Sequence, residues 1–251
     1  MCGNIIFLDT VDSTNTYGKT NFAMLPDGAL IVAAEQTAGR GRLGRKWLSP
    51  KGENFYASAI FKRCFDGFGA TTVMSMAALD TLNELRPEIP AYIKWPNDIY
   101  VDICKLGGML CEGILDSANR FQGVVAGLGL NLNMPAEALA AIDQPATSLK
   151  FLTNHEFSYD FFAKKFAFFL NRRYIMYLNS PSAVFAEWKQ ANKLLGCPLQ
   201  VSGFHGVISG VFSDIAPSGE MMLTTPEGCL KVNSGDVRIT KESLRSANRK
   251  A

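Results

Sequence analysis

Two strand-like runs, Ala29–Ala34 and Asn54–Phe61, are joined by a segment with no helical pattern: Gly39-Arg40-Gly41-Arg42-Leu43-Gly44-Arg45-Lys46-Trp47, followed by the breakers Ser49-Pro50-Lys51-Gly52. A long loop between neighbouring strands constrains the fold more than any other feature. It denies the glycine-rich segment the strand–turn–helix context that a dinucleotide-binding unit requires. Gly39 to Gly44 does match G-x-G-x-x-G, but that dinucleotide motif needs a helix opening at its third glycine, so that pyrophosphate meets the helix N-terminus. The P-loop pattern G-x-x-x-x-G-K-S/T is absent from the chain.

The loop's chemistry is as pointed as its shape. Glycines let backbone N–H groups come close to a ligand. Arginine forks match phosphate and carboxylate oxygens. Trp47 offers a stacking face. Such a loop suits closure over a polyanion such as a nucleotide; a solvated basic loop, or an Arg-Gly segment for RNA, has the same composition. Net charge favours a local site. Over 251 residues it is only +2, with 47% apolar and 19% charged residues, so there is a sizeable core and no global basic field. The six cysteines form no C-x-x-C pair, and His155 and His205 lie far apart in the sequence. No zinc site is expected. With no signal peptide and no apolar stretch of membrane-spanning length, a reduced cytoplasmic protein is the expectation.

Along the chain, Ile5–Leu8 reads as a strand. Asp12-Ser13-Thr14-Asn15 then leads into a short helix, where Ser13 or Thr14 fits an N-cap and the same helix start could hold a polar ligand head. Asn54–Phe61 alternates like a half-buried strand, and Thr71–Leu85 is a helix stopped by Pro87. Lys94-Trp95-Pro96-Asn97-Asp98 forms a sharp turn between strands. Beyond it, Lys105 enters the apolar run Leu106-Gly107-Gly108-Met109-Leu110, as a snorkelling edge lysine or one aimed into a cavity. Gly123–Leu132 is a strand. Pro135–Ile142, Tyr159–Leu178 and Ala183–Ala191 are helices, the second carrying a core stripe of Phe162, Phe166, Phe169 and Met176 with Lys164, Lys165, Arg172 and Arg173 mostly off it. From Leu199 to Thr240 short strands alternate with turns, as in a small β-barrel. The tail after Lys241 is expected to fray.

Taken in order, Ser13-Thr14-Asn15, Gln36, Gly39–Trp47, Lys94–Asp98, Lys105–Gly108 and Gly127–Asn131 resemble the biotin protein ligases, over most of the first two thirds of the chain. The resemblance implies an α+β fold. Residues 1–194 would form the biotin- and ATP-binding catalytic domain, a mixed sheet flanked by helices as in class II synthetases. Residues 195–251 would form an SH3-like barrel. It implies a ligase that converts biotin and ATP to biotinyl-5′-AMP and transfers biotin to a lysine of the biotin carboxyl carrier domain of acetyl-CoA carboxylase or a related carboxylase. Ser13, Thr14, Asn15, Gln36, Gly39, Arg40, Gly41, Arg42, Lys105 and Gly107 would contact biotin. Arg42, Arg45, Trp47, Asn97, Lys105 and Asn131 would contact ATP or AMP. Lys105 and Arg40 would be catalytic, and Mg²⁺ would arrive with ATP, with Asp98 as its candidate contact. With the motifs starting near residue 13, no N-terminal DNA-binding module and no specific DNA partner are expected; a homodimer is allowed. Position 43 is leucine where some members carry arginine. A lipoate-type ligase and a non-catalytic biotin-binding module are the rival readings.

Overall fold

The computed structural model describes residues 4–63, 66–203, 206–233, 235–238 and 243. The tail beyond Lys241, apart from Ser243, and His205 lie outside them. Seven strands form a mixed sheet: β1 (Ile5–Val11), β2 (Leu30–Gln36), β3 (Asn54–Phe61), β4 (Tyr92–Lys94), β5 (Asp98–Val101), β6 (Cys104–Leu115) and β7 (Phe121–Asn131). Their spatial order is β1-β2-β3-β7-β6-β5-β4, with β1 and β2 parallel and every other pair antiparallel. The helices are α1 (Thr14–Thr20), α2 (Gly67–Leu85), α3 (Ala136–Ala140), α4 (Leu149–Thr153), α5 (Tyr159–Asn179) and α6 (Pro181–Gln190).

The sheet's two faces do different work. Period-2 alternation puts Phe55, Ala57, Ala59 and Phe61 of β3 and Val124, Ala126, Leu128 and Leu130 of β7 on one face, where α2 and α5 cover them. Phe55 meets Phe162 and Phe166 edge-on, with ring centroids 5.1 and 5.2 Å apart. The other face holds a smaller cluster under α1, including Ile31, Ile60 and Val125, and then opens into the site. Hence β3 is buried along its whole length, not half-buried as its alternation suggests. Its polar members Ser58 and Asn54 are covered by other parts of the chain, not by solvent.

Two further expectations are corrected. Arg173 lies on the buried side of α5, where Asp80 of α2 takes its guanidinium at 2.5 and 2.7 Å and Glu187 of α6 takes another N–H. A charged residue enters a helix interface here because both carboxylates meet it there. Met176 is only partly buried, and the apolar seam runs through Leu170 and Tyr174 instead.

The C-terminal strands β8 (Pro198–Gly203), β9 (Gly206–Ile215), β10 (Met221–Thr225), β11 (Gly228–Val232) and β12 (Asp236–Arg238) form one antiparallel sheet, in the order β11-β10-β9-β8-β12. Among the described residues, β11 and β12 are its two ends. One face shares a core with the seven-stranded sheet: Leu199, Phe212, Met221 and Leu223 pack in one cluster with Met76, Ile93, Trp95, Tyr100 and Trp188. The Trp95 indole N–H donates to the Gly219 carbonyl at 2.8 Å, tying the turn before Asn97 to the β9–β10 connection.

Candidate functional site

The open face of the sheet is floored by glycine. Gly127 and Gly129 on β7 stand opposite Leu110 and Gly108 on β6, so three glycines and one leucine share this patch. Each glycine makes room for a named group. A Cβ at Gly127 would stand 2.4 Å from Asn15 Oδ1, one at Gly129 2.5 Å from the Trp47 ring, and one at Gly108 2.8 Å from Asp98 Oδ1. These side chains therefore lie flat on backbone, and a larger residue at any of the three positions would displace one of them. Gly107 is buried instead against Leu130, so Gly108, not Gly107, lines the cavity.

Lys105 reaches this face through an irregularity. The β5–β6 register shifts between Ile99, opposite Gly107, and Tyr100, opposite Lys105. An extra residue reverses the alternation and turns Lys105 onto the face of Gly108. Its ammonium sits 2.8 Å from Asp98 Oδ1 and 5.5 Å from the centre of the Trp47 ring. Asp98 follows the Trp95-Pro96-Asn97 turn, whose Trp–Pro peptide is cis. Asn97 is fixed by a hydrogen bond that its side-chain amide donates to the Met109 carbonyl at 2.6 Å.

The start of α1 supplies the polar end. Ser13 is the N-cap residue by backbone, but its side chain makes no capping bond. The Thr14 N–H donates to Gln36 Oε1 at 2.9 Å, and the Gln36 amide donates to Ser49 Oγ at 3.1 Å. Ser58 Oγ lies 2.7 Å from Thr14 Oγ1 and 2.6 Å from Asn15 Oδ1. This network binds α1, β2, β3 and the loop together, and it holds Ser13, Thr14 and Asn15 in a buried row.

The glycine-arginine loop folds as a small hairpin. Arg40 bridges Lys46, Gly41 N–H donates to the Arg45 carbonyl at 2.7 Å, and Trp47 N–H donates to the Gly39 carbonyl at 3.0 Å. A 3-10 turn, Arg42–Gly44, forms its tip. Leu43 and Gly44 both have positive φ, 56° and 74°, and Leu43 points outward. Gly39 is required by contact: a Cβ there would lie 2.4 Å from Ser49 Oγ and 2.5 Å from the Trp47 carbonyl. Arg42 donates to Asn97 Oδ1 at 2.8 Å, and Arg40 donates to Glu112 Oε2 at 3.2 Å.

Two cavities meet at this loop. A small one, about 110 Å³, is lined by Ser13, Thr14, Asn15, Arg42, Asn97, Asp98 and Gly127, among others. A larger one, about 810 Å³, is lined by Gly39, Ser49, Asn131 and the 141–146 segment, among others. Gln36, Arg40, Arg45, Trp47 and Lys105 border both. Asn131 thus falls on the larger side only; its amide donates to the Thr147 carbonyl at 2.9 Å. Among the described residues, no group of three or more His, Cys, Asp or Glu side chains is placed to hold a metal ion.

Sequence reasoning passed over Ser58, Ser49, Gly108 and Glu112. Glu112 accepts from Lys19 at 2.8 Å, Asn15 at 2.9 Å and Arg40 at 3.2 Å. Burial pushes its carboxyl up, but the bonds from Lys19 and Asn15 and the charge of Arg40 outweigh it and hold the group below its ordinary value. A signal was present, since a lone carboxylate closes the apolar run Gly107–Cys111 two residues after Leu110. Burial pushes the adjacent Cys111 thiol up to about 12, so it is an inert packing group.

A sheet face cleared by glycine, a helix start rich in hydroxyl and amide, and a cationic hairpin closing over them form a site suited to small polar and anionic ligands. The model of the Biotin/lipoate A/B protein ligase family matches residues 7–131. The biotin–(acetyl-CoA carboxylase) ligase of Paracoccus denitrificans is 30% identical over 92% of this chain and 98% of its own length. The enzyme of that name from Mycobacterium tuberculosis is 31% identical over 92% and 88%. The Aquifex aeolicus biotin protein ligase, solved in complex with biotin and ATP, superposes with a TM-score of 0.79 at 28% identity, covering 94% of this chain and 99% of that one. The chain belongs to the biotin protein ligase family.

Proposed function

We propose that this chain activates biotin with ATP and transfers it to a lysine of the biotin carboxyl carrier domain of a carboxylase. In the first step a biotin carboxylate oxygen attacks the α-phosphorus of ATP. The bond from that phosphorus to the bridging oxygen breaks, and pyrophosphate leaves with the electron pair. In the second step the carrier lysine amine attacks the biotinyl carbonyl carbon. The acyl C–O bond breaks, AMP leaves, and the amine loses a proton to solvent.

The observation that carries the reading is the wall between the two cavities. Lys105, Arg40 and Arg45 border both, so a carboxylate on one side and a triphosphate on the other would face the same cations. Two anions must approach for the first step, and fixed cations offset that repulsion without reorganising during reaction. The smaller cavity, with Ser13, Thr14, Asn15 and Gln36 at its polar end, suits the biotin head. The larger one suits the nucleotide, with Trp47 as its stacking face and Asn131 at its edge. Asn97 works from the other side by steadying Arg42. Mg²⁺ would enter with ATP. Asp98 fits a metal contact only by loosening its pair with Lys105. The names of the relatives support acetyl-CoA carboxylase as the carrier's parent. No helix among the described residues is long and apolar enough to cross a membrane.

Biotin-dependent exchange of labelled pyrophosphate into ATP tests the first step, and mass spectrometry of a carrier domain after incubation with biotin and ATP tests the second. Exchange driven by lipoate and not by biotin would move the assignment to the lipoate branch. Absence of exchange with either acid, despite biotin binding, would reduce the protein to a binding module.

A further inference from the structure

We infer that Glu112 is a positioning residue that latches the glycine-arginine hairpin over the site by holding Arg40, while the same carboxylate orients the amide of Asn15. The inference rests on the biotin-ligase reading for its kinetic consequences, but its structural part stands on geometry alone. Glu112 is the carboxylate bonded by groups from both walls of the small cavity. Lys19 and Asn15 come from α1, and Arg40 comes from the hairpin. Its side chain is 19% exposed, whereas the Arg40 side chain is 44% exposed and also donates to Thr16 Oγ1, at 3.4 Å. An exposed arginine at the root of a loop has many rotamers, and one charge-assisted bond to a half-buried anion selects among them.

The position of Glu112 on β6 makes the latch specific. It lies two residues beyond Leu110, opposite Val125, on the cavity face. Without its charge, Lys19 and Arg40 would face each other with no anion between them. Asn15 would keep its bond to the Leu110 carbonyl at 2.9 Å but share one neutral oxygen with Lys19 and Arg40 as its second acceptor. Arginine presents five N–H groups, and Glu112 and Thr16 engage only Nη2, so the latched side chain retains donors for a ligand anion. The latch therefore orders the loop before ligand arrives and lowers the entropic cost of closing it.

The hairpin provides its own readout, because trypsin cuts after Arg40, Arg42, Arg45 and Lys46. In Glu112→Gln, without ligand, cleavage between residues 40 and 46 should quicken about tenfold, the effect of losing one charge-assisted bond. KM for biotin should rise about tenfold, and kcat should fall by a smaller factor. Glu112→Asp should recover part of both. Arg40→Gln should quicken cleavage at Arg42 and Arg45 to the same degree, and the double variant should add little, since both remove one bond. If Glu112→Gln does not fold, Arg40→Gln alone decides through that cleavage, because it leaves the bonds of Lys19 and Asn15 to Glu112 in place. Unchanged cleavage in the folded variants would overturn the latch, as would additive effects in the double variant. A lowered melting temperature with an unchanged KM for biotin would make Glu112 a merely structural residue and overturn it too. A wild-type protein that makes no biotinyl-AMP would defeat the functional reading instead, and the cleavage comparison would still judge the latch.

Discussion

The two sheets of this molecule use the same alternation to different ends. In the seven-stranded sheet, β3 and β7 are covered on one face by α2 and α5, and the other face is cleared by Gly127 and Gly129 so that Asn15 and Trp47 lie on backbone. In the C-terminal sheet, β9 and β11 leave most side chains exposed, and the buried face is spent wholly on packing against Trp95, Tyr100 and Trp188. Polar groups are aimed where side chains have been removed from the floor, not where they are abundant. The second sheet contributes support: through Gly219 and Trp95 it backs the turn that presents Asn97 and Asp98.

The comparison breaks first at Lys105. Lys105→Ala should slow biotinyl-AMP formation by about 10²–10³, the scale for removing one preorganised electrostatic group, and slow transfer from pre-made adenylate less. Single-turnover measurement of both half-reactions checks this; equal slowing of both would remove its special role in bringing the anions together. The matching change in the second sheet is Phe212→Ala, which should cost about 3–5 kcal/mol in denaturant unfolding, because Phe212 is 1% exposed. The KM of the folded fraction for biotin should hardly move. If that KM rose as steeply as stability fell, the division of labour between the sheets would be wrong.

Smaller effects sharpen the contrast. Gly129→Ala places a methyl where the Trp47 ring lies, so the ring must move. KM for ATP should rise about tenfold, near the lower end for losing one stacking contact, and KM for biotin should rise less. Trp95→Phe removes the bond to Gly219, worth about 1 kcal/mol, and leaves a small cavity where the larger indole packed, so unfolding should be correspondingly easier. The smallest effect concerns pH. The Glu112 carboxyl lies below its ordinary 4.5, so its charge contributes fully above that value and is lost as pH falls through the lowered one. The difference in melting temperature between wild type and Glu112→Gln should be level above about pH 5 and shrink in more acid solution.

Much of the site is local in sequence and was legible there. The hairpin, the Trp-Pro-Asn-Asp turn, the α1 start and the oddity of a lysine entering an apolar strand all stand within short stretches. What escaped depends on register and on distant partners. Lys105 reaches the cavity because of a register shift opposite Ile99 and Tyr100, which periodicity cannot reveal. Glu112 matters because Lys19 and Arg40, 93 and 72 residues away in sequence, converge on it. Arg173 is buried because Asp80 and Glu187 come from two other helices. The five C-terminal strands were legible from their turns. Their shared core was not, since nothing local in Trp95 announces Gly219.

That shared core bears on modularity. A boundary near residue 194 looks in the sequence like a seam where a chain could be cut or a new module grafted. Shearing it would leave Ile93, Trp95 and Trp188 facing water, beside the turn that carries Asn97 and Asp98. The last quarter of the chain is therefore a keystone: an engineer may extend beyond it or insert into its exposed turns, but a shortened catalytic fragment would lose the wall its chemistry leans on.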